Sequence, residues 1–212
     1  NNDHSELLAY SAILNSRAYQ NVMGIQLQMS TGNSRYECGM LAVAPIPDMN
    51  DSDKTRLAEL AESNFNARRR LDSVNETSHA FLLPMKVQIG LNLLDPEAEL
   101  RRIAESQIEM DREADRLYGF TSRVLPKQEK SRAVELPDES AQMNALLSWA
   151  VGVAFGRFDR RLASEEREVP PAPGPFEAYP KRSPGRLPEG DAPFIENKGV
   201  FVMDPGHRLD LA

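Results

Sequence analysis

The fold is decided by the stretch Lys54-Thr-Arg-Leu-Ala-Glu-Leu-Ala-Glu-Ser-Asn-Phe-Asn-Ala-Arg-Arg-Arg-Leu-Asp-Ser-Val74. Its seam positions alternate spacings of three and four residues, and they are Leu57, Leu60, Asn64, Ala67, Leu71 and Val74. That spacing predicts a long helix that packs against a helical partner. The same spacing recurs after Asp95-Pro96, where proline suits the first helical position, at Leu100, Ile103, Gln107, Met110, Ala114 and Leu117. The sequence therefore predicts two antiparallel helices.

Shorter elements surround this helix pair. Helical spacing predicts one amphipathic helix from about Ser5 to Met23. The segment Tyr36 to Val43 is typical of an edge strand, and it leads into the extended Pro45-Ile-Pro47. The apolar, irregular segment from Asn75 to Leu94 either crosses the helix pair or begins another short helix. Ser122 to Pro137 is charged and turn-like.

The C-terminal third begins with an apolar helix. Asp138 is its predicted N-cap, and its apolar residues are Met143, Leu146, Leu147, Ala150, Val151 and Ala154. Because they cover most faces, we expect the helix to be buried. Gly152 and Gly156 lack side chains, which would let another element approach closely.

A proline-rich strap follows, with eight prolines between Pro170 and Pro193. Proline removes backbone donors, so we expect this segment to run extended over the surface, pinned by Phe176, Tyr179 and Leu187. Gly199 to Met203 resembles a short strand. The predicted class is α+β, mainly α, with a long helix pair, a small β element and the strap. The predicted divisions are a region of two long helices at 1–136, a buried helix at 137–169, and the strap with its short strand at 170–212.

Composition limits the classes of function. The net charge of −7 over 212 residues repels a polyanion, so contact with DNA needs a local basic face. The single cysteine, Cys38, cannot form an intramolecular disulfide, and no apolar run approaches the roughly 20 residues that span a bilayer. We expect a cytoplasmic protein without membrane insertion.

Familiar catalytic and cofactor motifs are absent from the sequence. It contains no glycine-rich nucleotide-binding motif and no Asn-Pro-Pro-Tyr or Asp-Pro-Pro-Tyr tetrad, with which adenine-N6 methyltransferases hold a flipped base. Histidines and Cys38 lie too far apart in sequence to indicate a metal site, and a nucleophilic pair of Cys38 and His79 lacks a flanking signature. We therefore expect no catalysis and no cofactor in this chain.

Short clusters of basic residues are the feature of the sequence that favours contact with nucleic acid. Arg68-Arg-Arg70 interrupts the first long helix, and Lys181-Arg182 with Arg186 lies in the strap. Such clusters suit phosphate contacts. For Arg68 to Arg70, however, Glu59 and Glu62 on the same helix favour a solvated helix face. The candidate DNA-binding residues are Arg17, Arg35, Tyr36, Arg68, Arg69 and Arg157. Arg157 lies between two phenylalanines, where it either reaches a phosphate or caps the helix.

Several short segments share their order along the chain with one known family. These segments are Leu14 to Tyr19, Tyr36 to Gly39 with Pro45 to Pro47, Thr77 to Pro84, Asp111 to Phe120, Leu146 to Asp159, Ser183 to Gly185, and Asp204 to His207. In this order they resemble the part of large N6-adenine DNA methyltransferases that follows the catalytic domain. The family is the PglX-like type of BREX phage defence and of fused restriction-modification systems.

This resemblance implies a part of an S-adenosylmethionine-dependent enzyme that reads the target sequence and helps to clamp double-stranded DNA. The implied partners are DNA and the catalytic methyltransferase domain or other defence-system subunits.

Two other interpretations compete with DNA recognition. In the first, the long helices and the strap dock a partner subunit, which an exposed apolar patch on the long helices would favour. The second, a small independent hydrolase, needs a nucleophile and base that the sequence does not display. A positive groove lined by Arg17, Arg35 and Arg157 would favour DNA recognition.

Overall fold

A computed structural model describes residues 2–29, 44–120 and 134–193. In these ranges the chain forms six α-helices, which are α1 (Asn2–Leu14), α2 (Arg17–Met29), α3 (Asp51–Asp72), α4 (Met85–Gly90), α5 (Pro96–Tyr118) and α6 (Glu139–Ala154). A 3-10 helix, Arg160–Leu162, follows α6. The prediction of a mainly helical protein is confirmed.

The predicted β element is not shown. Within the described ranges, β pairing is limited to one isolated antiparallel bridge between Phe158 and Arg186. The predicted strands, Tyr36 to Val43 and Gly199 to Met203, lie outside the described residues.

The chain divides into two compact units. The first contains residues 1–67 and 100–134, and the second contains residues 68–99 and 135–212. The second unit thus joins a central segment to the C-terminal part of the chain, an association that a linear division of the sequence does not predict.

The core of the first unit lies among α1, α2, α3 and α5. Its buried residues are Ala9, Ala12, Ile13, Ala18, Leu57, Ala61, Met110 and Ala114. Alanine at so many of these positions lets the helices approach closely. The buried Asn64 amide donates to the Ser106 hydroxyl at 3.0 Å and to the Ile103 carbonyl at 3.2 Å, which ties α3 to α5. Arg116 pairs with Asp53 near the opposite ends of the two helices. The predicted antiparallel pair is therefore confirmed.

The N-terminal helix differs from its prediction. The chain forms two helices where one was expected, because the helix breaks at Asn15 and Ser16. The buried Ser16 hydroxyl accepts a hydrogen bond from the Tyr19 amide at 3.2 Å and so caps the start of α2. The Asn15 amide donates to the Ser11 carbonyl at 2.9 Å, at the end of α1. Local side-chain bonds thus replace the continuous helix that the apolar spacing indicates.

In the second unit, the segment after α3 folds onto residues that follow α6. Leu82, Leu83 and Leu162 form a buried cluster, with Trp149 packed against it. The Phe81 and Phe158 rings meet nearby, with centroids 5.1 Å apart. The open question about Asn75 to Leu94 is answered in favour of a short helix, α4, preceded by Pro84.

The predicted burial of α6 is wrong. Its N-cap is as predicted, since the Asp138 carboxylate accepts from the Ala141 amide at 2.7 Å. However, Met143, Leu147, Val151 and Phe155 are about half or more exposed, and Gly152 is the buried residue of the helix. The Phe158 ring lies where a Cβ of Gly152 would be, so close packing at this glycine is confirmed. The helix meets the core along a narrow face, and its apolar composition does not translate into burial.

Candidate functional site

The second unit contains a cleft of about 710 Å³ between the proline-rich strap and the segment that begins at the end of α3. One wall includes Arg69, Arg70, Ser73, His79 and Gln88. The other wall is the strap, which contributes prolines, Tyr179, Arg182 and Arg186, together with Arg167 just before the strap. The cleft thus combines a rigid, largely apolar wall with five guanidinium groups, those of Arg69, Arg70, Arg167, Arg182 and Arg186.

A buried glutamine organises the α3 side of the cleft. The Gln88 amide, 2% exposed, donates to the Leu83 carbonyl at 2.7 Å and to the Ser73 carbonyl at 3.2 Å. The Leu82 amide also donates to the Ser73 carbonyl, at 2.8 Å. These bonds fix the loop that carries His79 against the end of α3, so this wall is preformed.

The strap is held by backbone hydrogen bonds around Gly185. The Gly185 amide donates to the Phe81 carbonyl at 2.9 Å, and the Asp159 amide donates to the Gly185 carbonyl at 3.0 Å. The Leu187 amide then donates to the Arg157 carbonyl at 3.2 Å. A Cβ at Gly185 would lie 2.9 Å from the Phe81 ring and would overlap the Leu82 carbonyl, so this contact requires glycine.

The strap therefore differs from its prediction at two of the three expected pins. Of the three predicted pins, Phe176 and Tyr179 are nearly half exposed. Within the described residues, backbone hydrogen bonds on either side of Gly185 attach the strap.

A buried carboxylate sets the position of two arginines next to the cleft. Asp159 is 1% exposed and accepts from Arg161 Nε and from Arg167 Nη1, both at 2.8 Å. Burial alone would raise the pKa of Asp159, but the hydrogen bonds from Arg161 and Arg167 outweigh it, and the pKa lies below its ordinary value. Asp159 is therefore an ionised anchor, and it holds Arg167 at the edge of the cleft.

The other arginines have different environments. Arg70 Nε lies 2.9 Å from the carboxylate of Glu99, whose side chain is mostly buried. Arg69 donates to the Pro173 carbonyl and so bridges the two walls of the cleft. Arg182 lies 3.7 Å from Glu189, a strongly exposed carboxylate, and such a pair is weak because solvent screens it.

The predicted DNA-binding residues are divided between the two units. Arg17 belongs to the first unit, where Nη2 lies 2.5 Å from Asp115 and the backbone amide donates to Asp111 at 2.7 Å. These bonds favour a structural role for Arg17. Arg35 and Tyr36 lie outside the described residues.

The three remaining candidates belong to the second unit. Arg69 lines the cleft, whereas Arg68 and Arg157 do not. The Arg157 guanidinium lies over the Phe158 ring, 4.9 Å from its centroid. Of the six candidates, the described structure thus places one in a concave basic site.

Sequence reasoning missed the importance of Arg167 and Ser183. The Ser183-Pro-Gly185 motif and the basic residues on both sides of it were the available signal, because a proline-glycine turn between arginines brings several cations onto a short stretch of backbone.

No protein-family model, curated protein or solved structure matches this chain. Among the described residues, no group of histidine, cysteine and carboxylate side chains is arranged to hold a metal ion. None of the helices in the same residues is long and apolar enough to cross a membrane.

Proposed function

We propose that this chain is a target-recognition and clamping part of an adenine-N6 DNA methyltransferase of a restriction or phage-defence system. In this proposal the chain binds double-stranded DNA and performs no catalysis itself. The S-adenosylmethionine-dependent chemistry belongs to a catalytic domain with which the chain works.

The observation that carries the proposal is the meeting of three segments that resemble this family. Thr77 to Pro84, Leu146 to Asp159 and Ser183 to Gly185 are far apart in sequence. They join where Phe81 contacts Phe158 and where Gly185 bonds to both Phe81 and Asp159. Segments that resemble one family only by chance would not be expected to pack together at one place. Their mutual contact therefore supports a single folding unit that this chain has in common with the family.

The cleft beside this junction supports contact with DNA. A chain of net charge −7 can hold a phosphate backbone only where cations are concentrated, and five arginines line this one cleft. Arginine donates in a fixed, forked geometry that matches phosphate oxygens. Its contacts with phosphates also release bound counterions, which provides much of the affinity for DNA.

A charge-replacement experiment tests the proposal. We expect the double variant Arg69→Gln with Arg182→Gln to bind a random-sequence duplex roughly tenfold more weakly than the unchanged chain at about 50 mM salt. The matched control, Arg101→Gln with Arg102→Gln, removes two exposed cations of the first unit. Equal loss in both variants would assign the binding to overall charge and contradict a role for the cleft.

A second candidate function, docking of a partner subunit, is favoured by the exposed stripe on α6. Met143, Leu147, Val151 and Phe155 recur every four residues and are 50%, 65%, 48% and 48% exposed. No charged residue occurs between Ser140 and Gly156. Such a contiguous apolar face is typical of a protein interface. We propose the catalytic methyltransferase domain as its partner, which makes the two functions compatible.

The stripe can be tested without disturbing the fold. Leu147→Gln changes a side chain that is 65% exposed, so we expect a stability change within about 0.5 kcal/mol. The same substitution should abolish co-purification with a co-expressed PglX-like catalytic domain, whereas Gln142→Ala on the same helix should not. Co-purification of the Leu147→Gln variant at the level of the unchanged chain would exclude docking through this stripe.

A further inference from the structure

One polar group in the cleft is buried without a partner. Ser183 is 7% exposed and lines the cleft, and its hydroxyl makes no hydrogen bond within the part of the chain that the structure describes. Leaving a buried hydroxyl unsatisfied costs free energy, which a ligand oxygen would recover. The hydroxyl therefore indicates a place where a ligand atom belongs.

A cation lies three residues further along the same turn. Arg186 also lines the cleft, and its guanidinium makes no ion pair within the described ranges. Its backbone is fixed, because the Arg186 amide donates to the Ser183 carbonyl at 3.0 Å and Phe158 pairs with Arg186 in the β-bridge. A hydroxyl donor and a guanidinium on one rigid turn suit an oxyanion.

The charge of the other residues that line the cleft also favours an anionic ligand. Four further arginines line the cleft, and among the described residues Glu177 is the single carboxylate in the lining. The carboxylates that pair with Arg70, Arg167 and Arg182 lie outside the lining. The Glu177 carboxylate accepts from the Gly174 amide at 2.8 Å, so it is engaged by the strap itself. An anion is therefore preferred over a cation or a neutral group.

The size and the aromatic lining of the cleft indicate a ligand that is larger than an isolated phosphate. A volume of about 710 Å³ lies within the range of small-molecule and cofactor sites. Tyr179 is 45% exposed, and its ring lies 6.4 Å from that of His79, at a tilt of 43°. An exposed aromatic face stacks well on a nucleic-acid base.

We infer that the cleft holds one nucleotide, with its phosphate at Ser183 and Arg186 and its base against Tyr179. For a nucleotide that is part of a DNA strand, the inference rests on the proposed function. A free nucleotide has the same phosphate and base, so the cleft would recognise it in the same way. Because bases within a duplex are already stacked, a strand nucleotide enters the cleft only when it is unpaired or extruded.

Binding experiments with the full chain and three probes test this inference. The probes are a short single-stranded oligodeoxynucleotide, free deoxyadenosine monophosphate, and inorganic phosphate. We expect Arg186→Gln to weaken binding of the oligonucleotide by about tenfold and Ser183→Ala by about threefold. Tyr179→Leu should weaken binding of the oligonucleotide and of the free nucleotide but leave that of inorganic phosphate unchanged.

Lys181→Gln is the matched control, because it removes an exposed cation from the same strap outside the cleft lining. We expect this control to change binding by less than about twofold. Fluorescence of Trp149, the single tryptophan of the chain, reports whether each variant of the second unit remains folded.

The outcomes separate the nucleotide site from the proposed function. Oligonucleotide binding that is insensitive to Arg186→Gln and Ser183→Ala, together with duplex binding by the unchanged chain, would overturn the nucleotide site and leave the proposed function standing. Binding of the free nucleotide through these residues, without any binding of DNA, would support the site and contradict the proposed function. Absence of binding to the oligonucleotide and to the free nucleotide would overturn the site.

Discussion

At the scale of single residues, the second unit depends on two closely packed positions. Gly185 sits against the Phe81 ring and the Leu82 carbonyl, and Asp159 is enclosed by two arginines. Both positions lie beside the cleft and join the strap to the rest of the unit. Substitutions at these two positions should lower the stability of the second unit more than they change its binding of a ligand.

Gly185→Ala is the sharpest steric change. The new Cβ would overlap a backbone carbonyl, which cannot move away as a flexible side chain would. We expect a loss of about 1–3 kcal/mol in the free energy of unfolding of the second unit, measured by urea titration with Trp149 fluorescence. Gly90→Ala is the control, since a Cβ there has open space. Equal stability of the two variants would mean that the strap does not pack at Gly185 as described.

Asp159→Asn should show how much the buried carboxylate contributes. Its folded-state pKa is lowered, so its stabilising effect is complete above the unfolded pKa and is lost as the pH falls through the folded pKa. We expect the variant to be less stable by about 3 kcal/mol at pH 7. The difference from the unchanged chain should shrink below about pH 4, where the unfolded-state carboxyl takes up its proton.

Urea titrations at several pH values measure that difference. Glu168→Gln, which removes an exposed negative charge nearby in sequence, is the control and should differ little from the unchanged chain in stability. A pH-independent gap between Asp159→Asn and the unchanged chain would show that the carboxylate does not act through its charge.

At the scale of elements, the long helices were the predictable part of the fold. Their alternating spacing and their caps are local signals, and α3 and α5 form where the pattern indicates. The break between α1 and α2 was missed because the Ser16 cap competes with an apolar spacing that continues through it. The exposure of α6 was missed for another reason. Apolar composition measures a tendency to be covered, whereas actual burial depends on which other elements are present.

The sequence predicted the types of residue that form the cleft, but not the cleft itself. The arginine clusters and the proline-rich composition are visible in the sequence, but the cleft exists because Gly185 brings the strap onto Phe81, about a hundred residues earlier in the chain. Contacts of such long range leave no periodic signal. The same limit applies to Ser183, whose hydroxyl has no hydrogen-bond partner among the residues that the structure describes, because of how its surroundings fold.

Ser16→Ala tests the helix break. Removing the hydroxyl leaves the Tyr19 amide at the start of α2 without its acceptor. We expect a loss of about 1 kcal/mol in the stability of the first unit, measured by thermal unfolding followed by circular dichroism at 222 nm. Ser52→Ala, in the exposed first turn of α3, is the control and should be nearly neutral. A neutral Ser16→Ala would indicate that α2 does not depend on this cap.

At the scale of the whole molecule, the net charge, the cleft and the exposed stripe support one functional interpretation. An acidic chain carries its candidate ligand site in one arginine-lined cleft of the second unit, and an uncharged apolar stripe on α6 of the same unit. This combination fits the function that we propose, in which the cleft would contact DNA and the stripe would contact a catalytic domain. Modest affinity of the chain alone is expected, because the other parts of such an enzyme add phosphate contacts of their own.

The most direct test of this account is fluorescence anisotropy of a labelled random-sequence duplex, titrated with the full chain at about 50 and 200 mM salt. Contacts with a few phosphates predict binding at the lower salt and an affinity roughly 10- to 100-fold weaker at the higher salt. Absence of binding at about 50 mM, or an affinity that salt does not change, would contradict DNA recognition by this chain.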